Sequence, residues 1–219
     1  MDEQRSVLRP AIEPVMEFSD SDLFWQEHWK KFAWALAALV VLIAAVGVWK
    51  FSSARNLAAA EALYSAANNA EAWREVVEKY PGTVPAGNAQ LQVAEALRAG
   101  GDMAGASGEL ESFLRTQPGH PLAGTAWLSL AEVRQMQGQN NGALEAYREA
   151  SSKYAGSYAA PLALLGEAKL LEQMGSPGEA RAVLESVGSL HGDTPAAMIA
   201  AGELARMRPP TQPAPAQSR

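Results

Sequence analysis

A repeat with a period of 37 residues runs through the second half of this chain and limits the folds it can adopt. Ala106, Ala143 and Ala180 are each separated by 37 positions, and four other series keep the same spacing. The members of these series are Gly101, Gly138, Gly175; Ala94, Ala131, Ala168; Leu110, Tyr147, Leu184; and Phe113, Ala150, Val187. Self-similarity at a period of roughly 20 to 50 residues is typical of a solenoid. A solenoid presents an extended surface rather than an enclosed catalytic pocket.

The composition narrows the fold class and removes several functions. Alanine is abundant, β-branched residues are scarce outside one segment, and Gly and Pro recur at intervals, which together favour an all-α protein. The net charge of −6 argues against a nucleic-acid-binding protein, because such proteins need a basic face to displace counterions from phosphates. The chain has no cysteine, so disulfides, thiolate metal sites and cysteine nucleophiles are excluded.

The segment from Phe32 to Trp49 is predicted to be a membrane-spanning helix. It carries no charged side chain, and as a helix it would be about 27 Å long, close to the ~30 Å hydrocarbon core of a bilayer. Lysines that can reach the headgroups and tryptophans typical of an interfacial belt flank it. The predicted membrane-interface residues are Trp25, Trp29, Lys30, Lys31, Trp34, Trp49 and Lys50.

Two other interpretations of this segment stay open. A cleaved signal peptide has an apolar region of about 7 to 15 residues, which is shorter than this run, and a small-x-small cleavage site. Ser52 and Ala54 could imitate such a site. A buried core helix is the other alternative, but core helices are usually amphipathic, whereas this run is apolar on every face.

The orientation of the span is predicted from the distribution of basic residues. Lysines and arginines close to its two ends balance, but Arg5 and Arg9 favour a cytoplasmic N-terminus with the repeats outside. Phe24 and Trp25, just before the span, fit a contact with either lipid or protein.

Five segments are predicted along the chain. They are a disordered tail, a juxtamembrane and transmembrane helix, a repeat domain, a closing helix and a disordered Pro-rich tail, over residues 1–21, 22–50, 51–193, 194–207 and 208–219. Thr194 is expected to cap the closing helix, with Pro195 in its first position, where a missing N–H costs nothing. The closing helix is expected to shield the last repeat from water.

The repeat resembles the tetratricopeptide repeat, whose first helix carries a large residue, Leu-Gly and Tyr, and whose second helix carries small and aromatic residues before a Pro. The best copy has Trp127, Leu130, Ala131, Gly138, Ala143, Tyr147 and Ala150. The copies on either side have the same spacing, as does a degenerate half-copy with Trp73, Val76 and Pro81. We therefore expect an all-α fold in which one transmembrane helix precedes a solenoid of about three and a half helical hairpins.

The copies depart from the family pattern in their period, at position eleven and at the closing position, which is Pro81 or Pro118 in two copies but Ala155 or Gly192 in the others. The period is 37 rather than about 34 residues, and position eleven is Leu97, Arg134 or Leu171 but never Tyr. The small residues fit the pattern, because Ala94, Ala131 and Ala168 should lie where helices cross and a larger side chain would hold them apart.

The resemblance implies a concave groove lined by the second, fifth, ninth and twelfth positions of each first helix. In this sequence those positions are Asn88, Leu91, Glu95, Arg98, Thr125, Leu128, Glu132, Gln135, Leu162, Leu165, Lys169 and Glu172. Leu91, Leu128 and Leu165 recur at the repeat period and suit the apolar anchors of a peptide. Some family members clamp a terminal carboxylate with Lys and Asn, but Leu and Glu hold those places here, so no such clamp is expected.

No pattern of residues indicates catalysis, a cofactor or a metal. His28, His120 and His191 lack a second ligand at metal spacing and are expected to be solvated or structural. Three pairs of glutamates, Glu109 with Glu111, Glu145 with Glu149 and Glu167 with Glu172, fit the solvated faces of amphipathic helices. We predict that the protein is not an enzyme.

The order of parts resembles the YfgM-like family, the ancillary subunit of the bacterial Sec translocon. That resemblance implies a single-pass inner-membrane protein with a periplasmic repeat domain, and partners among membrane machinery, envelope proteins or chaperones. The repeat ends at Lys79 to Gly82 and Lys153 to Gly156 also resemble proteins that coordinate outer-membrane assembly and cell division. A self-assembling scaffold, and hence a homo-oligomer, is the alternative.

Overall fold

The computed structural model of the chain describes residues 20–208, with side chains from His28 onward. Within that range the secondary structure is nine α-helices and no strand, which confirms the predicted all-α class. The helices are α1 (Asp20–Ala66), α2 (Ala70–Lys79), α3 (Val84–Ala99), α4 (Met103–Thr116), α5 (Ala123–Met136), α6 (Asn140–Ser152), α7 (Ala159–Gln173), α8 (Pro177–Leu190) and α9 (Pro195–Arg206). Apart from residues 20, 21 and 208, the two predicted tails lie outside the described range.

The chain divides into two compact units, Met1–Ser53 and Ala54–Arg219. The first unit contains the apolar stretch of α1, where large apolar side chains such as Trp34 and Val48 are 78% and 71% exposed. Among the described residues, α1 alone is long and apolar enough to cross a membrane, and its apolar window buries nothing inside the protein. The stretch is therefore not a core helix of this chain.

The second unit begins with the last turns of α1. Leu63 and Tyr64 from α1 pack with Trp73 and Val77 of α2 around a small buried cluster that includes Val76, which is fully buried. Asn69 caps α2, because its side-chain oxygen accepts a hydrogen bond from the Ala72 backbone N–H. The predicted half-copy is thus a short helix that packs mainly on α3, with Leu63 and Tyr64 of α1 at the edge of the same cluster.

Three helical hairpins follow, α3 with α4, α5 with α6 and α7 with α8, and α9 packs on α8 and α7. One continuous core runs through them. The repeating alanines are among its most buried members, with exposures of 2% or less at Ala94, Ala106, Ala131, Ala143, Ala168 and Ala180. Because protein interiors are close-packed, a longer side chain there would force the crossing helices apart. This packing explains why alanine marks the period.

The glycine series has a different cause, which lies in the backbone. Gly101, Gly138 and Gly175 have φ values of 84°, 74° and 82°, which residues with a Cβ rarely adopt. Each ends the first helix of a hairpin with a Schellman motif; in the first, the Gly101 N–H donates to the Arg98 carbonyl and the next N–H to the Leu97 carbonyl. The turn between the helices of each hairpin is thereby fixed.

Side chains from the turns connect one hairpin to the next. His120 is 7% exposed; its Nδ1 accepts from the Leu122 N–H, and its Nε2 lies 3.2 Å from the Val84 carbonyl oxygen. A neutral ring with its proton on Nε2 satisfies both contacts. One repeat later, the Tyr154 hydroxyl donates to the Pro118 carbonyl at 3.0 Å. His120 is therefore structural, one of the two roles expected for it.

Position eleven, where the family has Tyr, is filled in two ways. Leu97 and Leu171 pack in or against the core. Arg134 instead contacts two hairpins, because Nη2 pairs with Glu111 of α4 at 3.1 Å and Nη1 donates to the Gly142 carbonyl of its own hairpin at 3.1 Å. An ion pair and a backbone contact thus replace the missing aromatic residue in the middle repeat.

Two expectations about polar residues are wrong. Thr194 stands at the N-cap of α9 but makes no side-chain capping bond, because its hydroxyl donates to the His191 carbonyl at 2.7 Å. Glu167 does not belong to a solvated face, because it is 5% exposed and pairs with Arg148 of α6 at 2.7 Å. Both side chains are engaged by neighbours that the helical pattern does not specify.

Candidate functional site

The predicted groove residues lie at equivalent places on α3, α5 and α7, the first helices of the three hairpins. Leu91, Leu128 and Leu165 are half-buried and pack against the core, so each presents only part of its surface. Glu95, Glu132, Leu162 and Lys169 are exposed, and the remaining five, Asn88, Arg98, Thr125, Gln135 and Glu172, are half-buried. The set therefore combines a half-buried apolar row with accessible charged groups.

Seven of the twelve predicted groove residues line two cavities. The smaller, about 70 Å³, lies between α3 and α5 and is lined by Leu91, Glu95, Arg98 and Thr125 with residues of the core. The larger, about 530 Å³, is named here the terminal cavity, and its lining is Leu165, Ala168, Lys169, Glu172, Gln173, Leu184, Ile199, Glu203 and Arg206. Asn88, Leu128, Glu132, Gln135 and Leu162 line neither cavity.

Tyr147 connects two neighbouring first helices through a chain of hydrogen bonds. Its hydroxyl donates to Gln135 Oε1 at 3.0 Å, and Gln135 Nε2 donates to Gln173 Oε1 at 3.1 Å. Burial, with a smaller contribution from the charge of Glu132, raises the pKa of Tyr147 to about 12, so the hydroxyl keeps its proton at neutral pH. The corresponding residues of the other repeats are Leu110 and Leu184, which makes this polar contact particular to the middle hairpin.

Tyr147 and Gln173 were absent from the predicted site. The signal in the sequence was the single Tyr in a series otherwise made of Leu, together with Gly166, whose added Cβ would lie 2.5 Å from the Tyr147 ring. Their meeting could not be predicted, because the residues belong to different helices.

The acidic side chains of the groove differ in their surroundings. Arg98 holds Glu95 with two hydrogen bonds, at 2.8 and 2.6 Å, and this contact lowers the pKa of Glu95. Glu132 lacks such a bond, and although part of its side chain reaches solvent, desolvation of the rest raises its pKa despite the weaker attraction of Arg98. Ionisation of Glu132 at neutral pH therefore has a free-energy cost.

Helix α9 completes the terminal cavity, although the predicted groove consisted of residues from the three hairpins alone. Arg206 Nη2 donates to both carboxylate oxygens of Glu172 on α7, at 2.9 and 2.7 Å, and Arg206 Nε donates to Glu203 at 2.8 Å. Ile199 adds an apolar side chain that is 53% exposed. This helix was expected to shield the last repeat. Its apolar pair, Met198 and Ile199, was the signal in the sequence that it also lines a cavity.

Within residues 28–208, no cluster of His, Asp or Glu has the arrangement of a metal site. Among the predicted membrane-interface residues, Trp29, Trp34 and Trp49 are 53%, 78% and 67% exposed. Lys30, Lys31 and Lys50 are exposed as well, and the side chain of Trp25 lies outside the described range.

Comparison with known proteins assigns the repeats. The sequence pattern of the family described as tetratricopeptide repeat-like domain matches residues 23–151, more than half of the chain. Among curated proteins, none matches this sequence.

Solved structures share the helical arrangement. A kinesin light chain candidate from Podosopora anserina with nearly identical TPR-like repeats aligns with a TM-score of 0.52 and 22% identity, over 63% of this chain and 74% of that chain. A single-residue variant of the same protein gives the same values. The crystal structure of MamA aligns with a TM-score of 0.47 and 18% identity, over 63% of this chain and 75% of the other. The likeness to the P. anserina protein shows the solenoid fold.

Proposed function

The chain belongs to the tetratricopeptide repeat-like domain family, and we propose that it is a membrane-anchored adaptor that binds protein partners in its groove. Tetratricopeptide repeats are typically non-enzymatic scaffolds for protein–protein contacts, and stacked repeats provide an extended binding surface. The observation that carries the proposal is the row of half-buried leucines, Leu91, Leu128 and Leu165, which recurs on consecutive first helices beside accessible charged side chains.

The anchor is the second part of the proposal. The apolar stretch of α1 exposes its side chains all round, as a helix surrounded by lipid does. Tryptophans and lysines at both ends support an interfacial belt. We place the N-terminus in the cytoplasm and the repeats on the far side of a bacterial inner membrane.

The finer assignment follows from the order of parts. A short tail, one anchor and a repeat domain resemble the YfgM-like family, so the proposed partners are the Sec translocon, emerging envelope proteins or periplasmic chaperones. A role in outer-membrane assembly or cell division would use the same groove with other partners.

A self-assembling scaffold is the second candidate. The observation in its favour is Met198 of α9, which is 75% exposed and does not line the terminal cavity. Light scattering of the full chain in nanodiscs separates the two candidates, because a scaffold forms higher oligomers at micromolar concentration and an adaptor stays at one mass.

Crosslinking in the native membrane tests the adaptor proposal. The wild-type chain should give discrete crosslinked partners, and Leu128→Glu should remove them, because a charge would interrupt the apolar row. Leu190→Glu is the matched control, since Leu190 is 70% exposed and lines neither groove cavity. Partners that persist in Leu128→Glu would show that the groove is not the binding surface.

A further inference from the structure

The terminal cavity has the chemistry of a specificity pocket, and we propose that it binds a peptide segment of a partner protein in which an Asp or Glu accompanies large apolar side chains. The inference rests on the proposed function, because it names the chemistry of the partner that the groove would hold. It concerns the end of the groove where α9 joins the third hairpin.

The floor of the terminal cavity is apolar. Ala168 and Leu184 are 2% and 4% exposed, Leu165 is half-buried, and Ile199 of α9 is 53% exposed. A volume of about 530 Å³ lies within the range of roughly 300 to 1,000 Å³ in which proteins bind organic groups. The cavity can therefore take large apolar side chains, and their burial would supply the affinity.

The charges around the cavity are not equivalent. Arg206 is already held by Glu172 and Glu203, at 2.7 to 2.9 Å, so the groups of the chain neutralise it. Lys169 is exposed and has no hydrogen bond or ion pair with any residue of the described part of the chain. It lies one helical turn after Leu165, so a bound apolar side chain would bring its neighbours within reach of this ammonium group. A carboxylate is the complementary group.

Charge also distinguishes the two possible occupants of the cavity, the chain's own C-terminal residues and a partner peptide. Residues 209–219 come soon after α9 in the sequence, but they contain no Asp or Glu. Leu91, Leu128 and Leu165 lie on the first helices of the three hairpins, and the last of them lines the cavity, which suits a polypeptide that continues along the groove. A partner peptide therefore fits better than the chain's own tail.

Selection of peptides on the intact protein tests the proposal without a known partner. Phage-displayed random 12-residue peptides are selected on the full chain in nanodiscs, with empty nanodiscs as background. The wild-type protein should enrich peptides that combine Leu, Ile, Phe or Met with an Asp or Glu about one turn away. Lys169→Glu should change the enriched charge to Lys or Arg, because the rim then carries the opposite sign.

A matched control and a direct measurement complete the test. Arg115→Glu reverses an exposed charge outside both groove cavities and should keep the wild-type preference. A fluorescent peptide with the selected sequence should lose affinity by about tenfold or more on Lys169→Glu, with an unchanged dichroism spectrum. The proposal would be overturned if Lys169→Glu keeps the wild-type preference or if no peptide is enriched over empty nanodiscs. It would also be overturned if palmitate, a lipid probe, displaces every selected peptide.

The two proposals can fail separately. If Leu128→Glu removes the crosslinked partners while Lys169→Glu keeps the acidic preference, the groove binds proteins and the role given to Lys169 is wrong. If Leu128→Glu also leaves every partner in place, the adaptor function itself fails.

Discussion

At the scale of single residues, the middle of the groove depends on how one aromatic ring is accommodated. The Tyr147 ring passes so close to α7 that a Cβ on Gly166 would lie 2.5 Å from Tyr147 Cε1 and 2.6 Å from Cζ. Gly166 therefore permits the hydrogen bond from Tyr147 of α6 to Gln135 of α5, and Gln135 in turn donates to Gln173 of α7.

Gly166→Ala should lower the free energy of unfolding by about 1 to 3 kcal/mol, because the added methyl overlaps a buried ring. Urea unfolding of the full chain, followed by dichroism, measures the change. Gly108→Ala is the control; nothing lies within 4 Å of its new Cβ, so it should raise stability by about 0.5 to 1 kcal/mol. Combining Gly166→Ala with Tyr147→Leu should recover most of the loss, and no recovery would show that the clash lies elsewhere.

Glu132 provides a pH-dependent prediction at the same scale. Desolvation raises its pKa in the folded protein, so the carboxyl stabilises the fold below its ordinary pKa, and this contribution is lost as pH rises through the raised value. Glu132→Gln should therefore unfold at higher temperature than wild type at about pH 7, and the difference should vanish below about pH 4. Glu145→Gln, an exposed change on α6, should show no such trend; equal effects of both substitutions would exclude desolvation as the cause.

At the scale of helices, α9 has two faces with different roles. Ala196 and Ala200 are buried against the last hairpin at 4% and 1% exposure, whereas Ala201 is exposed. Arg181 adds a hydrogen bond from α8 to the Met207 carbonyl at the end of the helix. Because α9 also lines the terminal cavity, its docking supports both the stability of the last hairpin and the shape of the site.

Ala200→Glu should detach α9, because it places a charge in a contact that excludes water. Hydrogen exchange of amides in residues 195–206 should then accelerate by about tenfold or more, and exchange in α8 should rise with it. Ala201→Glu, one position further on, should leave both regions protected. Equal exchange in the two variants would contradict the assigned face.

The helices and turns could be predicted from the sequence because local chemistry determines them. The turns require a glycine with positive φ at Gly101, Gly138 and Gly175, and each helix crossing requires an alanine. Both requirements are visible in the sequence as residues that recur every 37 positions. The number of hairpins and the fold class can be predicted from these recurring residues.

The site was less predictable, because its contacts join residues far apart in the chain. Glu172 meets Arg206 from 34 positions away, and Gln135 meets Gln173 from 38 positions away. Helical periodicity places each residue on a face but does not identify its neighbour on another helix. For that reason α9 was expected to be only a shield, and Thr194 was expected to be a cap.

At the scale of the whole molecule, the proposed function requires that α1 crosses the membrane once and that the repeats lie beyond it. The topology can be tested directly, because the chain contains no cysteine and single cysteines can be introduced on a clean background. In intact cells, an impermeant maleimide should label Leu190→Cys once the outer membrane is permeabilised, whereas Ser6→Cys should react only after lysis. The reverse pattern would place the repeats in the cytoplasm, and labelling of both before lysis would contradict a single span with a cytoplasmic N-terminus.

Photo-crosslinking from the groove shows whether protein partners bind there. A photoreactive residue at position 128, in the apolar row, is compared with one at position 115, on an exposed turn of α4. Position 128 should capture a discrete set of proteins in the native membrane, and position 115 should not. Identical products from both positions, or none from position 128, would contradict a protein-binding groove.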